Sequence, residues 1–251
     1  NPIQPDSIAG AGDFIEQMQS WPDDTIDLIF ADPPYNIGYA YDKYQDRRED
    51  EEYIDWTCRW IDECVRLLKS SGSLYILIGD EYAAETRVFL KKLQRDRRLL
   101  FRNWIIWHYT FGQRCKVKYN RSHAHLFYCV GSAALTRTGT PRSDIVKNPS
   151  FTFNYDEIAL PSARQTTYKD KRANPRGKLP DDTWVLKNYP TAADWYVRPQ
   201  EAMDATAQDE LPLFAGVNDT WYQSRLCGTF TEREQWQPCQ LPEALLERII
   251  K

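Results

Sequence analysis

The stretch Ile26-Asp27-Leu28-Ile29-Phe30-Ala31-Asp32-Pro33-Pro34-Tyr35 decides how the rest of the chain is read. Ile26–Phe30 is a short apolar run and reads as a buried parallel strand. Two prolines in succession cannot continue a central strand, so the strand stops at Asp32. Before it, Asp13–Met18 reads as a short helix after Gly12, and Pro22-Asp23-Asp24-Thr25 as a turn. After it, Tyr39–Asp50 is polar and tyrosine-rich and reads as a loop.

From Glu51 to Lys69 apolar residues recur at helical spacing: Ile54, Ile61, Cys64, Val65 and Leu68. The first turn is acidic and the last carries Arg66 and Lys69, which suits the helix dipole. Ser70-Ser71-Gly72 is expected to end this helix, and Leu74–Ile78 to form a second buried strand. Tyr82–Leu93 reads as another helix, with Trp104–His108 and Leu126–Val130 as further strands. Alternating strands and helices predict a doubly wound α/β sheet. Such sheets bind ligands at the carboxyl ends of their strands, where Asp32–Tyr35 sits. Residues 131–225 lose this periodicity and read as a separate loop-rich module. At Leu241–Ile250 an amphipathic helix begins, with Pro242 near its first turn.

The chain has 251 residues, enough for one large domain or one domain with an inserted module. Its 14% aromatic content suits a large core and stacking on flat ligands alike. A net charge of -4 excludes a globally basic nucleic-acid binder, so any such surface must be local. The six cysteines form no C-x-x-C pair and have no His at zinc-finger spacing, so they read as free thiols in a reducing compartment. No apolar run has the length of a membrane span. No signal-peptide pattern is visible, although the chain begins at Asn1 rather than Met, and a cytoplasmic protein is expected.

Asp32-Pro33-Pro34-Tyr35 after an apolar strand resembles motif IV of the amino-methyltransferases, (Asp/Asn/Ser)-Pro-Pro-(Tyr/Phe/Trp). The plainer alternative is a strand followed by a proline turn with Asp as turn former. The resemblance extends further. Gly12-Asp13 and Pro22–Gly38 look like the opening of the β-class bacterial DNA methyltransferases. Arg121–Tyr128 looks like that family's later core strand, and Asp181-Asp182-Thr183-Trp184-Val185 like the segment before its last motif. Cys227–Phe230 and Pro238–Ile250 resemble motif X. The match is loose over residues 131–180.

The resemblance implies a Rossmann-like, S-adenosylmethionine-dependent methyltransferase sheet with an inserted loop-rich target-recognition region. It divides the chain into a catalytic core, 1–130, a target-recognition region, 131–225, and a return to the core, 226–251. It implies methyl transfer to the N6 amine of a flipped-out adenine in double-stranded DNA. That amine is a poor nucleophile, because its lone pair is delocalised into the ring. Two acceptors gripping its N–H bonds would localise the pair: the Asp32 carboxylate and the Pro33 backbone carbonyl, held rigid by the Pro33-Pro34 pair. Tyr35 would stack on the base. Asp13, Asp32, Gln240 and Pro242 would border the cofactor. Family tendency favours adenine over cytosine, since the cytosine-N4 enzymes usually carry Ser at the position of Asp32. RNA adenine as substrate and a non-catalytic, methyltransferase-like nucleic-acid-binding subunit are the alternatives. The resemblance also implies a bacterial, nucleoid-associated protein of the restriction-modification kind.

The family's motif I, a strand followed by Asp-Pro-Phe-x-Gly-x-Gly, is not found in residues 1–251. It is expected to follow Lys251, or to come from a second chain or a homodimer partner. In its absence Ile26–Phe30 would be a bare hydrophobic edge, which invites pairing with another chain. Poor solubility is therefore expected for residues 1–251 alone, and a monodisperse, well-folded fragment would contradict it.

Two segments are candidates for phosphate contact. Arg114, Lys116, Lys118 and Arg121 surround Tyr119, which could stack; a solvated edge strand carrying lysines is the alternative. Residues 164–178 carry Arg164, Lys169, Lys171, Arg172, Arg176 and Lys178 against Asp170 alone, a local net of +5. That suits groove entry, against the alternative of an ordinary exposed loop. His123 and His125 alternate, and without a third ligand they read as packing or capping residues rather than a metal site. Trp56, Trp60, Trp104 and Trp107 read as core.

Overall fold

The structure, a computed structural model, describes residues 12–39, 46–108, 115–119, 121–180, 183–185 and 241–250. In chain order the elements are α1 (Phe14–Gln19), β1 (Ile26–Ala31), α2 (Asp50–Leu67), β2 (Leu68–Ile78), α3 (Ala83–Arg95), β3 (Leu99–His108) and β4 (His123–Gly131). A 3-10 turn, Ser132–Ala134, follows, then α4 (Tyr155–Ile158), α5 (Ala163–Thr166), β5 (Thr183–Val185) and α6 (Glu243–Ile250). The strands run in the order β1-β2-β4-β3-β5, with β1 parallel to β2 and β3 parallel to β5. The expected α/β alternation is present. By contacts the chain divides into two compact units, residues 1–102 with 128–152, and residues 103–127 with 153–251.

In the first unit α2 and β2 carry the core. Tyr53, Trp56, Trp60, Ile61 and Leu67 of α2 are buried, as are Leu74, Ile76, Leu77 and Ile78 of β2. Sequence periodicity picked Ile54 and missed Tyr53; the aromatic residues make the inward stripe, and Ile54 is only half-buried. Phe14 of α1 meets Trp56 and Trp60 edge-on, at 5.8 and 6.2 Å. The Arg66 guanidinium donates to the carbonyls of Met18 (2.7 Å) and Trp21 (2.9 Å) and pairs with Asp23 and Glu63, so it ties the α1–β1 connection to α2.

Two expectations about this unit are corrected. Ser70-Ser71-Gly72 is not a loop: β2 starts at Leu68, directly after the helix, and runs through these residues. The reason lies in the neighbouring turn. Asp24, with φ 59°, accepts the Ser70 amide on its carboxylate (2.7 Å), and the Asp24 and Thr25 amides donate to the Arg66 and Leu67 carbonyls. Gly72 fits there because a Cβ would lie 2.9 and 3.0 Å from the Asp27 and Ile26 carbonyl oxygens. The second correction concerns β1, which was expected to be buried. Its residues are half-buried or exposed, with Leu28 36% exposed, because β1 stands at the end of the strand order with β2 as its one neighbour among the described residues.

In the second unit Trp104 donates its indole N–H to His125 Nδ1 at 2.8 Å, and its ring meets Phe127 edge-on at 5.1 Å. The His123 and His125 rings lie 5.0 Å apart, and among the described residues no group of three ligand-type side chains could hold a metal ion. Trp107 is buried and Trp104 half-buried. Leu245 and Ile249 of α6 are buried. No described helix is long and apolar enough to cross a membrane.

Gly131 ends β4 against β2, and a Cβ there would fall 2.4 Å from the Ser70 carbonyl oxygen and 2.5 Å from that of Lys69. Backbone cannot step aside as a side chain can. Gly131→Ala is expected to destabilise the protein by about 1–3 kcal/mol, read as a fall in thermal unfolding midpoint. An unchanged midpoint would mean that the close strand approach at Gly131 is not what this structure shows.

Candidate active site

β1 ends at Ala31, and the next four residues leave the sheet as Asp32-Pro33-Pro34-Tyr35. Asp32 is exposed, not buried in packing. The Tyr35 hydroxyl donates to Asp32 Oδ1 at 2.9 Å. The Pro34 carbonyl accepts from the Tyr53 hydroxyl at 2.6 Å. Pro33 is buried. The Tyr35 ring lies beside Gly79, just past β2, where a Cβ would come 3.4 Å from the ring.

The segment that follows is fixed by residues the sequence did not single out. Asn36 takes a left-handed conformation, φ 57°, and uses its whole amide. Its Nδ2 donates to the Arg48 carbonyl (2.9 Å) and to the Tyr82 hydroxyl (2.7 Å), and its Oδ1 accepts from the Arg48 amide (2.6 Å). Tyr82 passes its proton-side bond on to Asp50 Oδ1 at 2.8 Å. Burial, with a further push from Asp50 and Glu81, raises the Tyr82 phenol above its ordinary pKa, so it stays a donor. Asp46, 2% exposed, accepts the amides of Asn36 (2.8 Å), Ile37 (3.1 Å) and Tyr39 (3.0 Å) on its carboxylate. Its own carbonyl accepts the Gly38 amide at 2.8 Å. Tyr53 and Tyr82 pack ring to ring with centroids 4.4 Å apart.

A composition reading of residues 39–50 as a polar loop could not rank Asp46 above its acidic neighbours. The one available signal was Tyr53, a bulky aromatic in register with Trp56 and Trp60 on the helix.

The other expected site residues are placed as follows. Asp13 is the N-cap of α1, accepting the Ile15 amide at 2.8 Å, and is exposed. Pro242 is buried at the start of α6 and its carbonyl accepts the Leu245 amide at 3.1 Å. Gln240 and Arg114 lie outside the described residues. Lys116, Lys118 and Tyr119 are exposed in a stretch without regular structure, so the edge-strand alternative is not what these residues form. Tyr119 is 99% exposed, and Arg121 is half-buried.

The basic loop is built differently from the sum of its charges. Arg172 grips Asp170 through two nitrogens (3.0 and 3.1 Å), with Arg164 also 3.7 Å from Asp170. Arg176 grips Asp156 (2.7 and 2.6 Å) and stacks over Tyr155. Leu160 and Lys178 close the loop by exchanging backbone hydrogen bonds, with Gly177 at φ 81° beside them. These arginines are paired although exposed, and Tyr168, Lys169 and Lys171 are exposed as well.

At its strand-end turn the chain sets an exposed carboxylate, a proline pair and an aromatic ring next to one another. The profile of the DNA methylase family matches residues 26–251, and the chain belongs to that family. Among curated proteins it is 33% identical to the type II methyltransferase M.HpaI of Haemophilus parainfluenzae, over 69% of this chain and 48% of that one. It is 32% identical to the type II methyltransferase M.BamHI of Bacillus amyloliquefaciens, over 69% and 38%. To the DNA adenine methyltransferase YhdJ of Escherichia coli K12 it is 32% identical, over 59% and 53%. The chain thus spans about half the length of the curated relatives it matches.

The Arg172 side chain beside Asp170, and Arg176 beside Asp156, hold both carboxyls below the usual carboxylate range. A depressed folded pKa contributes order above the unfolded value and loses it as pH falls through the folded one. Hydrogen exchange at residues 154–178 should therefore accelerate as pH drops below the ordinary carboxylate range, after correction for intrinsic rates. Protection that persists to full protonation would show that these pairs do not brace the loop.

Proposed function

We propose that the chain is the catalytic half of an S-adenosylmethionine-dependent DNA methyltransferase that methylates the N6 amine of a flipped-out adenine. The observation that carries the reading is the exposed Asp32 carboxylate at the end of β1, next to the Pro33 carbonyl and bonded to Tyr35. Family membership supports DNA as substrate, and the name of one relative, a DNA adenine methyltransferase, supports adenine.

Asp32 accepts one N–H of the substrate amine and the Pro33 carbonyl the other. Both bonds draw the nitrogen lone pair out of the ring and hold it in one direction, so orientation supplies much of the acceleration. Asp32 need not be a strong base, because the amine becomes acidic only once it is alkylated and its proton leaves late. Tyr35, anchored at its hydroxyl, offers a ring face to the extruded base.

S-Adenosylmethionine, when bound, supplies an activated methyl group on a positively charged sulfur. The residues present fit such a group at one end: the exposed carboxylates of Asp32 and Asp13 suit cationic chemistry. Asp13 and Asp32 would border it. The residues that hold its remaining parts are assigned to the family's motif I segment, from the same protein or a partner. The uncovered face of β1 supports a further strand beside it. In this reading residues 1–130 and 226–251 are catalytic core, and 131–225 recognise the target.

The test is methyl transfer from labelled cofactor to DNA by the full-length protein. Asp32→Ala should lower the rate by about 100-fold or more. Retained activity in that variant overturns the mechanism, and transfer to RNA alone overturns the substrate. In the basic loop, Lys169→Ala with Lys171→Ala should flatten the salt dependence of DNA binding by a slope of about 2. An unchanged slope would remove this loop from the interface.

A further inference from the structure

We infer that Tyr53 of α2 is a positioning residue for Tyr35 and Asp32. This rests on the methyltransferase reading above and adds a residue to it. The argument runs through the torsions of the strand-end turn. Proline fixes its own φ, so φ is set at Pro33 and Pro34. A residue that precedes proline is held to extended ψ, so ψ is set at Asp32, before Pro33, and at Pro33, before Pro34. Among the backbone torsions of the proline pair itself, one escapes these local rules: ψ of Pro34, which together with φ of Tyr35 and its side-chain torsions sets where the Tyr35 ring goes. The Pro34 torsion swings Tyr35 relative to the proline pair, and so helps decide whether its hydroxyl reaches Asp32 Oδ1 at 2.9 Å.

The Pro34 carbonyl turns with this torsion, and it is the Pro34 carbonyl that the Tyr53 hydroxyl grips at 2.6 Å. Tyr53 is itself immobile. It is 0% exposed, its ring packs against Tyr82 at 4.4 Å and Trp56 at 5.5 Å, and it sits in the second half-turn of a helix anchored in the core. On the far side the turn is held by Asn36, whose Nδ2 donates to Tyr82 at 2.7 Å. Two neighbouring tyrosine hydroxyls thus clamp the turn from one packed layer, at Pro34 and at Asn36. Tyr53 touches neither substrate nor reacting atoms; it acts through Tyr35 and Asp32.

The experiment is single-turnover methyl transfer by the full-length protein and its Tyr53→Phe variant, with protein and cofactor in excess over DNA and the protein concentration varied. Phenylalanine keeps the ring packing and removes only the hydroxyl. The expected result is a maximal rate constant about 10-fold lower, with the half-saturating protein concentration within about 2-fold. A purely structural role would raise the total protein concentration needed for half-saturation, as the folded fraction falls, and leave the maximal rate constant alone; that result, or an unchanged rate constant, overturns the inference. If wild-type protein transfers no methyl group to nucleic acid, the methyltransferase reading fails and the inference falls with it, which is a separate outcome from an active wild type with an equally active variant. Should Tyr53→Phe not fold, Tyr82→Phe replaces it, since it removes the partner of Asn36 in the same clamp. The same loss of rate constant is then expected, and an unchanged one overturns the clamp.

Discussion

A buried carboxylate holds the turn on which the site depends. Asp46 is almost wholly removed from water, which would cost several kcal/mol for an unpaired charge. Three backbone amides, of Asn36, Ile37 and Tyr39, converge on it instead. Bonds to an ionised acceptor are about twice as strong as neutral ones, so the cost is offset and three part-buried bonds form together on one carboxylate. The chain leaving the proline pair is thereby given one course. Without that convergence the amides of residues 36–39 would need partners from solvent, and the turn would have no fixed far end.

The same helix that fills the core of the first unit also governs the site. α2 buries Trp56, Trp60 and Ile61, and one and two turns earlier it presents Tyr53 to the Pro34 carbonyl and Asp50 to the Tyr82 hydroxyl. Side chains whose rotamers are locked by packing are good positioning devices, because little freedom remains to be lost when they hold a neighbour. The hydroxyls of Tyr53 and Tyr82 supply polar ends to rings that are otherwise core. Burial of tyrosine is commonly accompanied by a partner for its hydroxyl, and here both partners belong to the site.

Charge follows a similar logic in the second unit. The +5 of residues 164–178 is a sum over letters. In space, Arg172 and Arg176 are committed to Asp170 and Asp156, an acid that lies eight residues upstream of the basic run. What remains for a polyanion is a smaller set at the tip. With a net charge of -4, any attraction of a polyanion to this chain has to come from such local arrangement.

Much about this protein was set by local rules that act along the chain. Two adjacent prolines end a strand wherever they fall, and helical spacing with an acidic start and basic finish makes α2, so the α/β alternation and the place of Asp32 at a strand end followed from sequence alone. The boundary at Ser70–Gly72 did not, because Gly and Ser signal a turn until Asp24 and the β1 carbonyls are brought alongside them. Nor did the burial of β1, which depends on its neighbours rather than its own apolar letters. Asp46, Tyr53 and Tyr82 join the site only through hydrogen bonds that span 7 to 46 residues. Such partners are chosen by the packing of α2 against β2, and tertiary structure alone could select them from the many acids and tyrosines that the sequence offers.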